Sequence, residues 1–285
     1  MTLREILDDA TRRFESVGIA TPRVDAEWLM AHVLAVPRMQ LGLISELDSG
    51  SITTFETFVQ RRMNREPLQH ITGVAAFRTI ELEVGPGVFV PRPETELLAG
   101  WAIDAAKKVF ENEHRSPIVV DLATGSGAIA ASIKTELPQA QVHAVELDPK
   151  AFAFAERNLS QLDVDLVLGD LAEAFHSLNG SVDVVVSNPP YIPLTAWESV
   201  AIEARDFDPQ LALFSGEDGL DAIREIERTA ARLLHAGGVL AFEHADLQGE
   251  TAPAVLLDTG RWEQVQDNLD LAQKPRFVTA TRASG

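Results

Sequence analysis

Cysteine is absent from this 285-residue chain, which excludes disulfides, thiolate metal sites and thiol nucleophiles together. Aromatic residues make up only 6% of it, and Tyr191 is the single tyrosine. No apolar run approaches the roughly 20 residues that a membrane-spanning helix needs. Basic residues are scarce: 24 Lys and Arg stand against 43 Asp and Glu, a formal charge of −19. Wide contact with phosphate backbones or anionic lipid would have to overcome that repulsion locally. What is present, 46% hydrophobic and 24% charged residues, suits a globular protein with a sizeable core and not a disordered one. Met1 to Glu5 open an amphipathic helix rather than a signal peptide. The expectation is an acidic cytoplasmic protein, monomeric and without a membrane partner.

Charge and pattern change at the same place. Residues 1–70 carry 8 basic and 10 acidic side chains, the remainder 16 and 33. Leu3, Ile6, Leu7, Ala10, Phe14 and Val17 recur at helical spacing, with Thr2 and Glu5 placed as a capping box. Gly18 ends that helix, and Thr21-Pro22 opens a second. Phe55, Phe58, Val59 and Arg62 suggest another. Residues 1–73 therefore read as a small helical domain. Ile80, Leu82 and Val84 then alternate with polar residues, Gly85-Pro86-Gly87 turns the chain, and Val88 to Val90 returns. This predicts a β-hairpin connector over 74–93. From Glu94 onward, short apolar runs at 118–120, 141–145, 165–168, 182–186 and 239–242 alternate with helical stretches. Residues 94–285 thus read as an α/β domain, a doubly wound parallel sheet, with 276–281 as an edge strand.

Asp121-Leu122-Ala123-Thr124-Gly125-Ser126-Gly127 follows the first of these strands. Glycines at a strand-to-helix turn let a ligand approach the backbone, and a helix N-terminus supplies free N–H groups. Such a fragment alone also describes a plain tight turn. Glu146, ending the next strand, is placed to accept hydrogen bonds from ribose hydroxyls. Asp121 would be unhelpful beside a pyrophosphate but suits a cofactor with a sulfonium and an amino group, which is S-adenosylmethionine. Asp170, closing the third strand, faces the adenine end on this reading; its structural alternative is a helix cap.

Asn188-Pro189-Pro190-Tyr191 follows the fourth strand. The prolines fix φ and extend the residues before them, so a carbonyl can be aimed. The Asn188 side-chain oxygen and the Pro189 backbone carbonyl can accept both hydrogens of a planar –NH₂ group, with Tyr191 packed on its plane. Such a nitrogen is a poor nucleophile. Held this way, its lone pair is oriented toward an electrophilic methyl group.

With these motifs in order, the chain resembles the HemK-type release-factor glutamine methyltransferases over nearly its whole length. The resemblance also rests on Arg65 to Gly73, on Val88-Phe89-Val90-Pro91-Arg92-Pro93-Glu94-Thr95-Glu96, and on Glu217-Asp218-Gly219-Leu220. It implies a helical N-terminal domain that docks substrate and a seven-stranded methyltransferase sheet. The activity implied is methylation of the glutamine amide nitrogen in the Gly-Gly-Gln loop of class I peptide chain release factors. By position it implies that Ala123, Thr124, Gly125, Ser126 and Gly127 line the methionine and ribose part of the cofactor. Glu146 would bind ribose and Leu171 would lie near adenine. Asn188 would touch both cofactor and substrate, and Pro189, Pro190 and Tyr191 would complete the amide site. Phe89 and Arg92 become pocket or lid residues. Two departures stand out: Glu146 replaces the commoner Asp, and Glu243-His244-Ala245 lacks a glycine the family often has. Neither is expected to touch the chemistry, and His244 reads as structural.

The strongest rival is a nucleic-acid adenine methyltransferase, because the same tetrapeptide can hold the amino group of a flipped base. Such an enzyme needs a basic groove. Arg61, Arg62 and Arg65 form one basic cluster, read here as a solvated helix face, and direct nucleic-acid binding is not expected. A non-catalytic cofactor-binding module would not need an aimed acceptor pair. A nicotinamide oxidoreductase is disfavoured by Asp121 and by Ala130 in place of a third glycine.

Overall fold

A computed structural model describes residues 2–44 and 46–284; Met1, at the head of the first expected helix, lies outside them. The helices are α1 (Leu3–Ser16), α2 (Pro22–Leu34), α3 (Ser49–Met63), α4 (Leu68–Thr72), α5 (Thr95–Glu113), α6 (Ala128–Glu136), α7 (Pro149–Leu159), α8 (Ile202–Phe207), α9 (Asp221–Leu233) and α10 (Thr251–Leu257). The strands are β1 (Val74–Phe77), β2 (Ile80–Glu83), β3 (Ile118–Leu122), β4 (Gln141–Glu146), β5 (Val164–Leu168), β6 (Val182–Ser187), β7 (Leu234–Glu243), β8 (Trp262–Leu269) and β9 (Pro275–Arg282). Two compact units result, Met1–Val74 with Ala201–Phe207, and Ala75–Val200 with Asp208–Gly285.

The first unit is helical. Thr2 and Glu5 form the expected capping box on α1, each side chain meeting the other's backbone N–H. Ile6, Leu7, Ala10 and Phe14 of α1 pack with Ala26, Leu29 and Met30 of α2 and with Phe55 and Val59 of α3. Thr21 precedes Pro22 as expected, but its hydroxyl donates to the Asp25 carboxylate instead of accepting a backbone N–H. The arginine cluster is a correction. Arg62 is only 7% exposed, and its Nε donates to Asp25 Oδ2 at 2.8 Å. Arg61 is forked onto Glu66 at 2.8 and 2.5 Å, and Arg65 meets Glu203 of α8 at 2.8 Å. These cations are neutralised inside the unit and not spread over a solvated face. Sequence spacing missed this because Glu203 lies 138 residues from Arg65.

The second unit holds a seven-stranded sheet in the order β5-β4-β3-β6-β7-β9-β8. β5, β4, β3, β6 and β7 are mutually parallel, and β9 runs antiparallel between β7 and β8. The expected edge strand at 276–281 is therefore interior; the edge is β8, whose burial pattern is mostly polar and exposed and gave no alternation to read. All six residues of β6 are buried. Val184 and Val186 join the core shared with α5 and α6, while Val182 and Val185 join the core shared with α9. Burial on both faces is what makes these strands read as continuous apolar runs.

The connector also differs from expectation. β1 and β2 form the two-stranded sheet, turning at Arg78-Thr79 with Arg78 at φ +51°. Arg78 holds this turn by forking onto Glu136 at 2.7 and 2.9 Å. Val88 and Val90 are not strand; they are buried with Ala75, Val84 and Ala151 in a small core of their own. The long-range Arg78–Glu136 pair replaces the Gly or Asn that a two-residue turn ordinarily announces.

The buried Arg62–Asp25 pair yields a stability prediction. Asp25→Ala removes the 2.8 Å partner of Arg62 and leaves the buried guanidinium only the 3.3 Å contact to Glu203 and the Glu66 carbonyl. The loss should therefore approach but not exceed that of a broken buried pair, about 3–5 kcal/mol. Urea unfolding of the two proteins checks this; a loss below about 1 kcal/mol would place the pair among ordinary surface salt bridges.

Candidate active site

Strand register assembles the site. Leu122, the last residue of β3, is level with Val145 of β4 and with Ser187 of β6, and Ser187 is level with Phe242 of β7. The next residues along each strand are Ala123, Glu146, Asn188 and Glu243, so four groups leave the sheet in one row at its carboxyl end. The chain runs outward from β3 through β4 and β5, then returns through β6 and β7 on the other side. The row therefore straddles the topological switch point, where open α/β sheets bind ligands. The buried Ser187 hydroxyl donates to the Leu122 carbonyl at 2.6 Å and ties β6 to β3 at this level.

On the β3 side the backbone is coiled tightly. Ala123, Gly125 and Gly127 all have left-handed φ, at +57°, +59° and +84°. Gly127 packs against Leu159 and Ala155 of α7, whereas a Cβ on Gly125 would meet nothing within 4 Å. The first glycine thus leaves room above the loop and the second allows the helices to close. Asp121 is fully buried beneath the loop; its Oδ2 accepts from the Thr124 hydroxyl at 2.5 Å and the Ala130 N–H at 3.1 Å. Its Oδ1 has no partner among the described residues. Burial pushes this carboxyl up to about 7. Ser126 is buried, and its carbonyl accepts from Asn158.

Glu146 accepts from the Gly125 N–H and the Asp148 N–H, each at 2.8 Å. Desolvation raises its pKa despite those donors. Asp121, the glycine loop and Glu146 are therefore one connected cluster. Asp170 is exposed and its Oδ1 accepts from the Ala172 N–H at 2.9 Å, so it caps the short helical turn Leu171–Glu173. Leu171 is half-buried on that turn. Leu147, directly after Glu146, is 51% exposed on the same rim; sequence reading passed over it because one apolar residue after a strand carries no pattern.

On the β6 side, Asn188 Nδ2 donates to the Thr95 hydroxyl at 3.0 Å, and no described residue donates to Asn188 Oδ1 or to the Pro189 carbonyl. Thr95 donates to Glu243 Oε2 at 2.7 Å, and the Tyr191 hydroxyl donates to Glu243 Oε1 at 3.1 Å. Glu243 is 1% exposed, and burial pushes it up to about 7. Tyr191 is held well above its usual value, first by burial and then by Glu243. Pro189 is buried and Pro190 half-buried. The Tyr191 carbonyl accepts from Gln248 Nε2 at 3.0 Å, and a side chain at Gly219 (φ +78°) would collide with that carbonyl. This close approach accounts for the glycine of the Glu217–Leu220 motif.

One expectation changes here. Glu243 was read as clear of the chemistry, but it bonds directly to Tyr191 and, through Thr95, to Asn188. Thr95 and Gln248 were not singled out, since neither lies near the tetrapeptide in sequence. Arg92 and Phe89 are stacked on one another, the guanidinium 4.7 Å from the ring centroid, and Arg92 is anchored on the buried Asp208 at 2.6 Å. Burial pushes Asp208 up to about 6 even with Arg92 beside it. His244 is fully buried, its ring nitrogens within 2.8 Å of the Ala245 carbonyl and 3.0 Å of Asp267, as a structural histidine should be. Among the described residues no His, Asp and Glu cluster could hold a metal ion, and no helix is long and apolar enough to cross a membrane.

Comparison with known proteins bears on the family and the fold. Residues 5–73 match the PrmC N-terminal domain and residues 102–204 the methyltransferase small domain. The chain is 53% identical to a release factor glutamine methyltransferase of Streptomyces coelicolor, over 96% of both chains. It is 43% identical to one of Mycolicibacterium smegmatis, over 98% of both. It is also 41% identical to a 4-amino-L-phenylalanine/4-methylamino-L-phenylalanine methyltransferase of Streptomyces pristinaespiralis, over 92% of this chain and 89% of that one. A methyltransferase structure from Pyrococcus furiosus shares the fold at 18% identity and a TM-score of 0.51, covering 79% of this chain and 98% of that one. A near-full-length match at 53% identity, with the helical and sheet-bearing units both matched, places the chain in the release factor glutamine methyltransferase family.

Proposed function

We propose that this protein transfers a methyl group from S-adenosylmethionine to the side-chain amide nitrogen of the glutamine in the Gly-Gly-Gln loop of class I peptide chain release factors. The observation that carries this reading is the acceptor pair at Asn188 Oδ1 and the Pro189 carbonyl, without donors among the described residues and in one row with the glycine loop and Glu146. Bound there, S-adenosylmethionine supplies an electrophilic methyl on a positively charged sulfur. The residues present fit it: Gly125 leaves open space, Asp121 keeps an unpartnered oxygen beneath the loop, and Glu146 stands level with Ala123. Ala123 to Gly127 would hold the methionine and ribose part. Glu146 would accept from the ribose hydroxyls, with Leu171 and Asp170 at the adenine end.

Asn188 and Pro189 then accept the two amide hydrogens, and Tyr191 and Pro190 pack on the amide plane. This fixes the nitrogen lone pair for in-line attack and supports positive charge as it develops there. After transfer the nitrogen sheds a proton to water, so no general base is required. Arg92 over Phe89 borders the entrance as a rim held by Asp208. The helical unit, residues 1–73, docks the protein substrate; Met39 and Leu43 are 93% and 81% exposed there. The reading places the protein in the cytoplasm as a monomer, acting on a protein and not directly on nucleic acid.

Labelled S-adenosylmethionine offered with release factor, DNA or 4-amino-L-phenylalanine should label release factor alone, with mass spectrometry locating the methyl on the glutamine. Label in either of the other two would redirect the substrate assignment. Asn188→Ala should lose transfer while retaining cofactor binding; turnover at the wild-type rate would remove Asn188 from the site. Gly125→Ala should weaken cofactor binding by about tenfold or more, as a methyl group enters the space the ligand needs, with only about 1–2 kcal/mol lost in stability for the left-handed conformation. Calorimetric titration and urea unfolding separate the two effects. Replacing Met39 and Leu43 together with glutamate should raise KM for release factor and leave the cofactor Kd unchanged. An unaltered KM would locate docking elsewhere.

A further inference from the structure

We propose that Thr95 and Glu243 are positioning residues that set which end of the Asn188 amide faces the substrate. The inference rests on the reading of Asn188 as an acceptor for the substrate –NH₂ group, and it explains how that acceptor is kept an acceptor. An asparagine amide presents an oxygen on one side and an NH₂ on the other, and rotation by half a turn exchanges them. If the NH₂ faced the substrate, donors would oppose donors. Nothing in the Asn-Pro-Pro-Tyr backbone distinguishes the two orientations.

The hydrogen-bond chain does. Thr95 Oγ1 lies 2.7 Å from Glu243 Oε2 and 3.0 Å from Asn188 Nδ2. A hydroxyl has one hydrogen, and an ionised carboxylate can only accept. The Thr95 hydrogen is therefore committed to Glu243, and what the hydroxyl offers Asn188 is a lone pair. Only the NH₂ end of the amide can answer it, so Oδ1 is turned the other way. The second oxygen of the same carboxylate takes the Tyr191 hydrogen at 3.1 Å, so one buried anion aligns both the acceptor and the ring of the amide site. Thr95 is 3% and Glu243 1% exposed, leaving no water to substitute for either link.

Protonation of Glu243 reverses the logic. A carboxylic acid becomes a donor on one oxygen. If it donates to Thr95, the threonine hydrogen is freed toward Asn188 and draws Oδ1 inward. The groups facing Glu243 are Thr95 and Glu94 from the start of α5, Tyr191 from the β6 loop and Arg276 from β9. Arg276, itself paired with Asp270 at 3.0 Å, favours the anion; Glu94 opposes it. Burial outweighs both and puts the transition at about 7. The ionised, productive state lies above that value, so methyl transfer should fall as pH drops through it.

Single-turnover methyl transfer to release factor at saturating cofactor, followed across the pH range that brackets Glu243, tests this. Wild-type enzyme should show an acid limb near 7 in the transfer rate at saturating cofactor, separate from the pH dependence that Asp121, also at about 7, gives to cofactor Kd. Thr95→Val keeps the shape and loses the hydroxyl. It should lower kcat by about 10- to 100-fold, the scale of a misplaced reacting partner, and flatten the limb. Thr95→Ser, which restores the hydroxyl, should recover most of the rate and the limb. Glu243→Gln should also lose the limb. A wild-type profile flat through this range overturns the proposal without any variant, and so does Thr95→Val working at the wild-type rate or Glu243→Gln keeping the limb. If wild-type enzyme fails to methylate release factor at all, the functional reading fails and not this mechanism alone.

Discussion

The level pairing of β3 with β6 is the constraint on which the rest of the structure depends. Because Leu122 and Ser187 are register partners, the residues that follow them leave the sheet at the same height, one into a glycine turn and the other into a stiff proline turn. A slip of one residue would move every side chain of β6 to the opposite face, burying polar groups and turning Asn188 away. That register is secured by two-sided burial: Val184 and Val186 fill one core, Val182 and Val185 the other. Fully burying such a side chain contributes about 1.5–3 kcal/mol. The chemistry at the strand ends is thus held by valines that never touch it.

Carboxylates are used in two distinct ways. Asp121 and Glu243 are buried with hydroxyl and N–H donors but no ion-pair partner among the described residues, and their raised pKa values follow from that desolvation. Such groups are costly to stability and useful for orientation. Asp25, Glu203 and Glu66 instead neutralise the arginines of the helical unit. The strong acidity of the chain after residue 70, which looked like a single global property, resolves into a few buried acids at the site and a larger solvated population. The arginines that alone resembled a nucleic-acid footprint are consumed internally.

Much of this was legible in the sequence because local rules were sufficient. The capping box on α1, the apolar runs of β3, β4 and β6, the glycine turn and the proline turn are all set by residues within a few positions of one another. The misreadings have a shared cause. The Arg78-Thr79 turn is stabilised by Glu136 rather than by turn chemistry, and β8 is an exposed edge whose pairing with β9 comes from the sheet and not from its own pattern. Arg62 reads as a surface cation until Asp25, 37 residues away, is folded against it.

The sequence by itself determined the chemistry on offer: a ligand turn with room above Gly125, an acid one strand over, and a rigid acceptor tetrapeptide after a buried strand. Tertiary structure decided how that chemistry is aimed. Thr95 and Glu243 lie 148 residues apart in the chain, and neither stands near Asn188, yet they meet it through a single hydroxyl. Side-chain orientation at a buried site follows from donor and acceptor counting among groups that only folding brings together, and no spacing along the chain encodes it.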